Sequence, residues 1–178
     1  MINYNVDSDG IATITWDMPG RSMNVLNEGS MTAYAGALEK AIKDDKVRGV
    51  ILTSGKDTFI AGADLEMLLN ADTSDAAKLT EQFSRLQKMF RMQETSGKPM
   101  VAAINGTALG GGFEICLACH YRIAAANPKT KIGQPEVKIG LLPDSGGTWF
   151  LPQRIGVARA MGLEIPPNLL ASADDTIE

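Results

Sequence analysis

Asn105-Gly-Thr-Ala-Leu-Gly-Gly-Gly-Phe-Glu-Ile115 is the stretch from which the fold of this chain can be worked out. It follows a short apolar run at residues 100–104 and leads into a helical pattern. Three consecutive glycines at 110–112 are costly in backbone entropy, which indicates a backbone that comes close to another group or adopts a positive φ. The first turn of a helix has N–H groups without partners and a positive dipole end. A strand, glycines and a helix start together predict a place for developing negative charge.

Glu114 lies one helical turn after Gly111, beside this predicted anion-stabilising corner. A carboxylate so close to an oxyanion site is a candidate general acid or base. The alternative is a tight strand-to-helix corner in which Glu114 merely stabilises the helix start. The stretch alone leaves both interpretations open.

The composition is that of an ordinary globular protein. The chain has 178 residues, 44% of them hydrophobic and 21% charged, which predicts one domain with a substantial core. A formal net charge of −4 and the lack of a basic stripe argue against nucleic acid as the main partner. The N-terminus lacks the residue order of a signal peptide, and we expect a cytoplasmic location. Residues 99–119 have the length of a membrane span, but their glycines, Asn105 and Glu114 favour a buried strand and helix.

The two cysteines, Cys116 and Cys119, lie one helical turn apart with His120 beside them. A metal site of the finger type needs further ligands, which this chain does not offer nearby. The pattern therefore favours small, buried packing residues over a metal or redox site, and no metal is expected.

The rest of the pattern predicts alternating strands and helices, which is the rhythm of an α/β fold. Period-two alternation around the Asp9-Gly10 turn predicts a β-hairpin over residues 2–16. An amphipathic helix is predicted over about 27–44, and residues 47–53 are typical of a buried strand. The later predicted elements are an amphipathic helix marked by Leu79, Phe83, Leu86 and Phe90, strands at 100–104 and 122–126, and a helix over 149–163 broken near Gly156.

Two further segments carry candidate functional groups. Residues 54–64 leave the buried strand and contain small residues at 61–63, where a ligand can approach the backbone at the C-terminal end of a strand. The alternative is an ordinary turn with Asp64 as a helix N-cap. Downstream, Glu136 follows Pro135, which predicts that this carboxylate is held in a loop and not on a helix.

These segments offer backbone N–H groups near Ala63 and Gly111 and two carboxylates, Glu114 and Glu136. Both carboxylates follow elements that we expect in one sheet layer. Paired carboxylates can hold a water between them, one taking a proton while the other gives one, and two N–H donors can bind a forming enolate oxygen. That combination suits the addition or removal of water across a double bond next to a carbonyl. The residues alone neither select this over other acid–base chemistry nor bring the four groups together.

Three segments resemble the enoyl-CoA hydratase/isomerase (crotonase) superfamily. They are Phe-Ile-Ala-Gly-Ala-Asp-Leu at 59–65, the run from Lys98 to Glu114 that contains the glycine corner, and residues 132–143 followed by Gly146-Gly-Thr148. The resemblance spans about residues 10–163 and is particularly close to the hydratase part of multifunctional fatty-acid oxidation proteins, which carry a 3-hydroxyacyl-CoA dehydrogenase downstream. It implies an α/β, crotonase-like (ClpP/crotonase) spiral of ββα units with flanking helices.

The resemblance also implies a site for a coenzyme A thioester. It places the oxyanion N–H groups on Ala63 and Gly111 and the paired catalytic carboxylates on Glu114 and Glu136. Because coenzyme A is part of the substrate, no separate cofactor is expected. The implied substrate-binding residues are Ala61, Ala63, Asp64, Leu65, Glu66 and Gly111.

The presence of both glutamates favours hydration of trans-2-enoyl-CoA to 3-hydroxyacyl-CoA in fatty-acid β-oxidation. Isomerases of this superfamily often retain only the later glutamate, so an enoyl-CoA double-bond isomerase is the first alternative. The second is a non-catalytic fragment that binds CoA esters as part of a larger multifunctional protein.

The chain departs from the family pattern at residues 125–131, which are about two residues longer, at Asp144, which replaces a small residue, and at its C-terminal end. Family members continue into helices that close the acyl site and build a trimer. We therefore expect a crotonase-like core over 1–164, a frayed tail over 165–178, an isolated chain that is unstable or associates non-specifically, and a closed homo-oligomer from a complete version. The apolar residues at this end are Leu151, Ile155, Val157, Met161, Leu163 and Ile165.

Overall fold

A computed structural model describes residues 1–70, 74–143 and 145–156, and its main layer is a five-stranded sheet. The sheet runs in the order β1-β2-β3-β4-β6, with β1 antiparallel to β2 and every other pair of neighbours parallel. A second, two-stranded sheet pairs β5 with β7 in parallel. The strands are β1 (Ile2–Val6), β2 (Ile11–Trp16), β3 (Gly49–Ser54), β4 (Met100–Ile104), β5 (Ala108–Leu109), β6 (Tyr121–Ala124) and β7 (Ile132–Gly133).

The N-terminal hairpin confirms the predicted period-two pattern. Alternate residues of β2 point into the core, so that Ala12, Ile14 and Trp16 are fully buried. The turn needs Gly10, because its φ is +76° and a Cβ there would lie 2.5 Å from the backbone oxygen of Lys46. The predicted turn at Asp9-Gly10 is therefore confirmed.

Helix α1 (Glu28–Lys43) confirms the predicted helix between the hairpin and β3. Asn27 caps its start, since the Asn27 side chain accepts from Ser30 N and the Ser30 side chain accepts from Asn27 N. At the other end, Lys98 Nζ donates to the backbone oxygens of Ala41 and Asp44 at 2.8 and 2.6 Å. This ammonium satisfies two carbonyls of the helix end and ties them to the residues that lead into β4.

Helices α2 (Leu65–Leu69) and α3 (Ala76–Glu94) connect β3 to β4. The predicted amphipathic helix is confirmed, but among the residues of α3 whose side chains are described, only residues in the last turns are buried. Phe90 is fully buried, whereas Phe83, two turns earlier, is 37% exposed. The side chain of Leu79 lies outside the described part of the chain. Periodicity identifies the apolar face of a helix, but it does not tell how many turns of that face the core covers.

A buried polar network joins three helices of the core. Tyr34 on α1 donates its hydroxyl to Gln93 Oε1 on α3 at 2.6 Å. Gln93 Nε2 in turn donates to the Ile115 carbonyl oxygen on α4 (Gly111–Leu117) at 3.0 Å and to Cys119 Sγ at 3.0 Å. All the polar groups of this network are therefore satisfied inside the core, as buried groups must be.

The cysteines confirm the packing prediction. Both are free and buried; burial raises the pKa of Cys116 well above its ordinary value and that of Cys119 to about 12, so both are neutral thiols at physiological pH. In the described ranges no group of three or more His, Cys, Asp or Glu side chains could hold a metal ion. No helix among the described residues is long and apolar enough to cross a membrane, and residues 99–119 form β4, β5 and α4.

The chain forms two compact units, Met1–Gly147 and Thr148–Glu178. Helix α5 (Gly147–Ile155) starts two residues before the predicted position, and Gly156 follows it with a φ of +79°, which confirms that the first predicted helical piece ends near Gly156. The second predicted helical piece, the proline stop at 165–167, the tail, the 164/165 boundary and Asp144 all lie outside the described residues. So do Val157, Met161, Leu163 and Ile165.

Candidate active site

The glycine corner has the predicted form of a strand, glycines and a helix start. Strand β5 ends at Leu109, Gly110 caps α4, and the helix begins at Gly111. Gly110 has a φ of +52°, and its N–H donates to the Gly133 oxygen of β7 at 2.9 Å. The corner is therefore attached to the small sheet, which is also the sheet that leads to Glu136.

Two of the three glycines are required, one by its own backbone conformation and the other by a neighbouring backbone segment. At Gly110 a side chain would combine a positive φ with a Cβ only 2.5 Å from Oε1 of Glu136. At Gly112 a Cβ would run into the backbone carbonyl oxygen of Ile60 and would lie 2.8 Å from Ile60 Cβ. Both reasons that the glycine run predicted, a positive φ and a close approach, are confirmed.

Gly111 has a different neighbour, which is a flexible side chain. A Cβ at Gly111 would lie 2.6 Å from Cδ1 of Leu26 and 3.7 Å from Oε2 of Glu114. Gly111 has no positive φ, so its backbone is one that other residues adopt. Leu26 and the carboxylate of Glu114 therefore flank the Gly111 backbone.

The segment around Ala63 lies beside this corner. An isolated bridge pairs Ile60 with Ala108, and Leu109 N donates to the Ile60 oxygen at 3.1 Å. The backbone N–H groups of Ala63 and Gly111 donate no hydrogen bond to any of the described residues, and both residues are half-buried. Since buried N–H groups are normally paired, these two are among the N–H groups of the corner that a ligand oxygen could use.

The residues that follow Ala63 fit the N-cap alternative for Asp64. The Asp64 side chain accepts from Glu66 N at 3.2 Å, caps α2 and forms an ion pair with Arg21 at 2.8 Å. Asp64 is buried, whereas Leu65 and Glu66 are exposed. The Ala61 N–H donates to the Asn24 oxygen at 2.9 Å and is thus already used within the fold.

The two predicted carboxylates lie against the same glycine corner. Glu114 is 1% exposed, and its Oε1 accepts from Gly147 N at 2.7 Å. Its Oε2 lies beside Gly111, while Oε1 of Glu136 lies beside Gly110. Two glutamates that are 22 positions apart in the sequence therefore each lie beside one of two neighbouring glycines.

The prediction of a loop at Glu136 is wrong. Glu136 begins a one-turn 3₁₀ helix, Glu136–Ile139, with Pro135 as its N-cap at φ −83°. Proline fixes φ near the helical value and lacks an N–H that the start of a helix would leave unpaired, so it favours this turn. The expected common layer exists as the small sheet of β5 and β7, after which Glu114 and Glu136 follow.

Leu26 and Gly147 lie against the candidate site, and neither was predicted to do so from the sequence, although Gly147 belongs to one of the segments that resemble the family. Each lies beside a group far along the chain, Leu26 beside Gly111 and Gly147 beside Glu114, so local sequence does not reveal these contacts. A polar cleft of about 540 Å³ contains none of the predicted site residues. It is lined by Lys56, Asp57, Thr58, Asn105, Gly106, Thr107, Asn127, Lys129 and Thr130.

The fold defines the class of protein. An enoyl-CoA hydratase from Bacillus anthracis superimposes with a TM-score of 0.81 and 32% identity, over 91% of this chain and 61% of that one. An enoyl-CoA hydratase from Thermoplasma volcanium gives a TM-score of 0.77 and 30% identity, over 91% and 62% of the two chains. The chain therefore has the α/β, crotonase-like fold.

The family follows from the sequence comparison. The family model described as enoyl-CoA hydratase/isomerase matches residues 7–174, and the chain belongs to this family. Fatty acid oxidation complex subunit alpha of Shewanella halifaxensis is 44% identical over 162 residues, 90% of this chain. The protein of that name from Idiomarina loihiensis is 45% identical over 158 residues, 88% of this chain. The chain spans only 23% and 22% of the lengths of these two relatives.

Proposed function

We propose that this chain carries an enoyl-CoA hydratase site that converts trans-2-enoyl-CoA to 3-hydroxyacyl-CoA in fatty-acid β-oxidation. The observation that carries the proposal is the convergence of Glu114 and Glu136 on Gly110 and Gly111, where the Gly111 N–H has no partner among the described residues. The names of the two sequence relatives support a role in fatty-acid oxidation.

The thioester carbonyl oxygen binds between the N–H groups of Ala63 and Gly111. When water adds to C3 of the enoyl group, the electron pair of the C2–C3 double bond moves toward the carbonyl, and the thioester oxygen becomes an enolate oxygen. Two fixed N–H donors stabilise this charge more strongly than they stabilise the neutral carbonyl, which lowers the barrier.

The two glutamates hold the reacting water. One carboxylate takes a proton from the water as its oxygen bonds to C3, and the other, in its protonated form, gives a proton to C2. The pair returns to its starting state by proton exchange between the two groups. Oε1 of Glu114 accepts the hydrogen bond from Gly147 N, and Oε2 lies beside Gly111 at the corner.

The remaining predicted substrate residues line the entrance for coenzyme A. Leu65 and Glu66 are exposed at the start of α2, directly after Ala63. Asp64, which pairs with Arg21, acts in this proposal by fixing the entrance. Coenzyme A enters as part of the substrate, and the proposed reaction uses no separate cofactor or metal.

The decisive experiment is the hydration of crotonyl-CoA by the parent chain and by Glu114→Gln and Glu136→Gln. Each substitution keeps the shape of the side chain and removes a proton-transfer group, so we expect kcat to fall by roughly 10²–10⁴-fold in each. Glu39→Gln is the matched control, an exposed glutamate on α1 with no role in the proposed site, and should change kcat little. Near-normal hydration by either catalytic variant would remove the assignment.

The isomerase alternative requires only one of the two glutamates. Incubation with 3-enoyl-CoA distinguishes it, because an isomerase moves the double bond without adding water. Double-bond migration that survives Glu114→Gln but not Glu136→Gln would replace the hydratase proposal. Binding of CoA esters without turnover, both in this chain and in a longer version, would instead support the non-catalytic alternative.

For assembly we propose that a complete version forms a closed homo-oligomer, a trimer by family resemblance. Large apolar side chains on the described surface support an interface, since Val137, Ile139 and Leu142 are 62–75% exposed. Light scattering after size exclusion, on this chain and on an extended one, tests this. A monodisperse monomer from both lengths contradicts it.

A further inference from the structure

We propose that Leu26 is a positioning residue for the oxyanion donors, and that Gly111 must be glycine in this chain because of Leu26. The inference rests on the proposed function, in which the N–H groups of Ala63 and Gly111 bind the thioester oxygen. Leu26 contacts both donor segments at once, one through its backbone and the other through its side chain.

The backbone of Leu26 fixes the direction of the Ala63 N–H. Leu26 N donates to the Gly62 oxygen at 2.8 Å, and Asp64 N donates to the Leu26 oxygen at 2.9 Å, so both bonds of this bridge flank Ala63. The Gly62 oxygen and the Ala63 N–H belong to one planar trans peptide and point in opposite directions. Because Leu26 holds that oxygen, the Ala63 N–H points away from the Leu26 backbone.

The side chain of Leu26 lies beside the other donor. Leu26 is 6% exposed, and its Cδ1 lies where a Cβ on Gly111 would come within 2.6 Å. The other two atoms near that position, Oε2 of Glu114 and Cγ of Leu26, lie at ordinary contact distances of 3.7 and 3.9 Å. Among the described residues, a terminal methyl group of the buried Leu26 side chain is therefore the nearest obstacle to a side chain at Gly111.

This obstacle differs in kind from those at the flanking glycines. Gly110 needs its positive φ, and Gly112 meets the Ile60 backbone, so trimming one side chain would relieve neither. At Gly111 trimming Leu26 to alanine removes Cδ1 and Cγ and makes room for a Cβ. Gly111→Ala keeps the N–H donor but displaces it, and a displaced donor loses much of its effect on the developing charge.

A double-mutant cycle tests the inference. It compares the parent chain, Leu26→Ala, Gly111→Ala and the double variant. For crotonyl-CoA hydration we expect Gly111→Ala to lower kcat about 10²-fold, comparable with the loss of one oxyanion donor. We expect Leu26→Ala alone to lower it about 10-fold, because the donors lose their support but keep their N–H groups. The kcat of the double variant should lie within about threefold of the kcat of Leu26→Ala. If the two effects were independent, the two reductions in kcat would multiply instead.

Leu38→Ala is the matched control for the expected recovery of activity when Leu26→Ala is combined with Gly111→Ala. Leu38 is fully buried on α1, and it is not among the atoms near the would-be Cβ of Gly111. Combining Leu38→Ala with Gly111→Ala should therefore give multiplied effects and no recovery. Recovery by Leu38→Ala as well would overturn a specific Leu26–Gly111 relation.

Two readouts separate this inference from the proposed function. Thermal unfolding reports the packing without any activity: Gly111→Ala should lower Tm, and Leu26→Ala should cancel part of that loss. Binding of acetoacetyl-CoA, whose enolate absorbs in the near ultraviolet, reports the oxyanion donors and should show less enolate in Gly111→Ala and recovery in the double variant. Additive Tm changes overturn the Leu26 inference. Coupled Tm changes in a chain that neither hydrates crotonyl-CoA nor stabilises the enolate overturn the proposed function but support the Leu26–Gly111 constraint.

Discussion

The two carboxylates of the corner stand in contrasting surroundings. Glu114 lies on a helix of the core, almost without exposure, and the segments beside it contain the fully buried Ile60 and Ala108. Glu136 is half-buried on a single 3₁₀ turn that follows a two-residue strand, and most of the residues after it are exposed. The core thus determines the position of Glu114, whereas a short segment at the surface determines the position of Glu136. We call these two parts the core half and the surface half of the site. Substitutions should therefore act differently in the two halves of the site.

The largest effect should come from the donor of the core half. In the Leu26→Ala background, Gly111→Ala keeps the N–H and Gly111→Pro removes it, while both add a Cβ to the same space. Gly111 is the first helical residue, where proline is well tolerated, so the helix should survive. We expect the proline variant to hydrate crotonyl-CoA about 10²–10³-fold more slowly than the alanine variant. Equal rates in two folded variants would mean that the Gly111 N–H is not a donor.

Substituting one isoleucine in each half of the site should show that the two halves contribute differently to the free energy of unfolding. Ile60 in the core half is fully buried, and Ile139 after Glu136 is 62% exposed. Urea unfolding should show that Ile60→Ala lowers the free energy of unfolding by about 2–5 kcal/mol, while Ile139→Ala changes it by less than about 0.5 kcal/mol. A large loss of unfolding free energy for Ile139→Ala would indicate that the surface around Ile139 is covered in solution. In that case side chains in both halves of the site would be buried.

A smaller effect is expected from added volume in the core half. Gly112→Ala places a methyl group against the Ile60 backbone and should cost about 1–3 kcal/mol of unfolding free energy. Gly36→Ala is the matched control within α1, because nothing lies within 4 Å of its would-be Cβ, and it should stabilise by about 0.5–1 kcal/mol. Calorimetry of both variants measures the difference, and a neutral Gly112→Ala would mean that the Ile60 segment can move aside.

The smallest effect should be a pH dependence of the stability. It arises in the core half, which contains both thiols. Burial raises the pKa of Cys119 from 9.0 to about 12, so the unfolded chain loses this proton first as the pH rises. The contribution of the buried thiols to the free energy of unfolding is fully present below pH 9 and is lost as the pH rises from 9 to about 12. Within the first pH unit the loss is about 1 kcal/mol per thiol. Urea unfolding between pH 8 and 10 should show this slope. An unchanged slope in Cys116→Ala/Cys119→Ala would contradict the assignment.

Local pattern was sufficient to predict the main elements. Alternation predicted the hairpin, helical periodicity predicted α1, and the glycine run predicted a close approach or a positive φ. The structure has a positive φ at Gly110 and a close approach at Gly112. These features depend on a few neighbouring residues, or on backbone geometry that only glycine allows. The resemblance of three segments predicted the fold and the family, which the comparisons confirm.

Contacts between distant segments could not be predicted in this way. Leu26 meets Gly111 across 85 positions, and Gly147 meets Glu114 across 33, and neither residue belongs to a periodic pattern. The 3₁₀ turn at Glu136 was missed because proline is compatible with both a loop and a helix start. The exposure of Phe83 depends on how far the core extends along α3, which its own sequence does not specify.

The strand order of the main sheet has a consequence for synthesis on the ribosome. Each strand lies beside the strand of that sheet that precedes it in the chain, from β1 to β6, so every new strand finds its partner already made. No strand has to be inserted between two that have already paired, and the sheet can grow in the direction of translation. We expect nascent chains stalled after residue 104 to protect the amides of β2 and β3 from hydrogen exchange before β6 has emerged. Protection that arises only after β6 is complete would show that the sheet forms in a single late step.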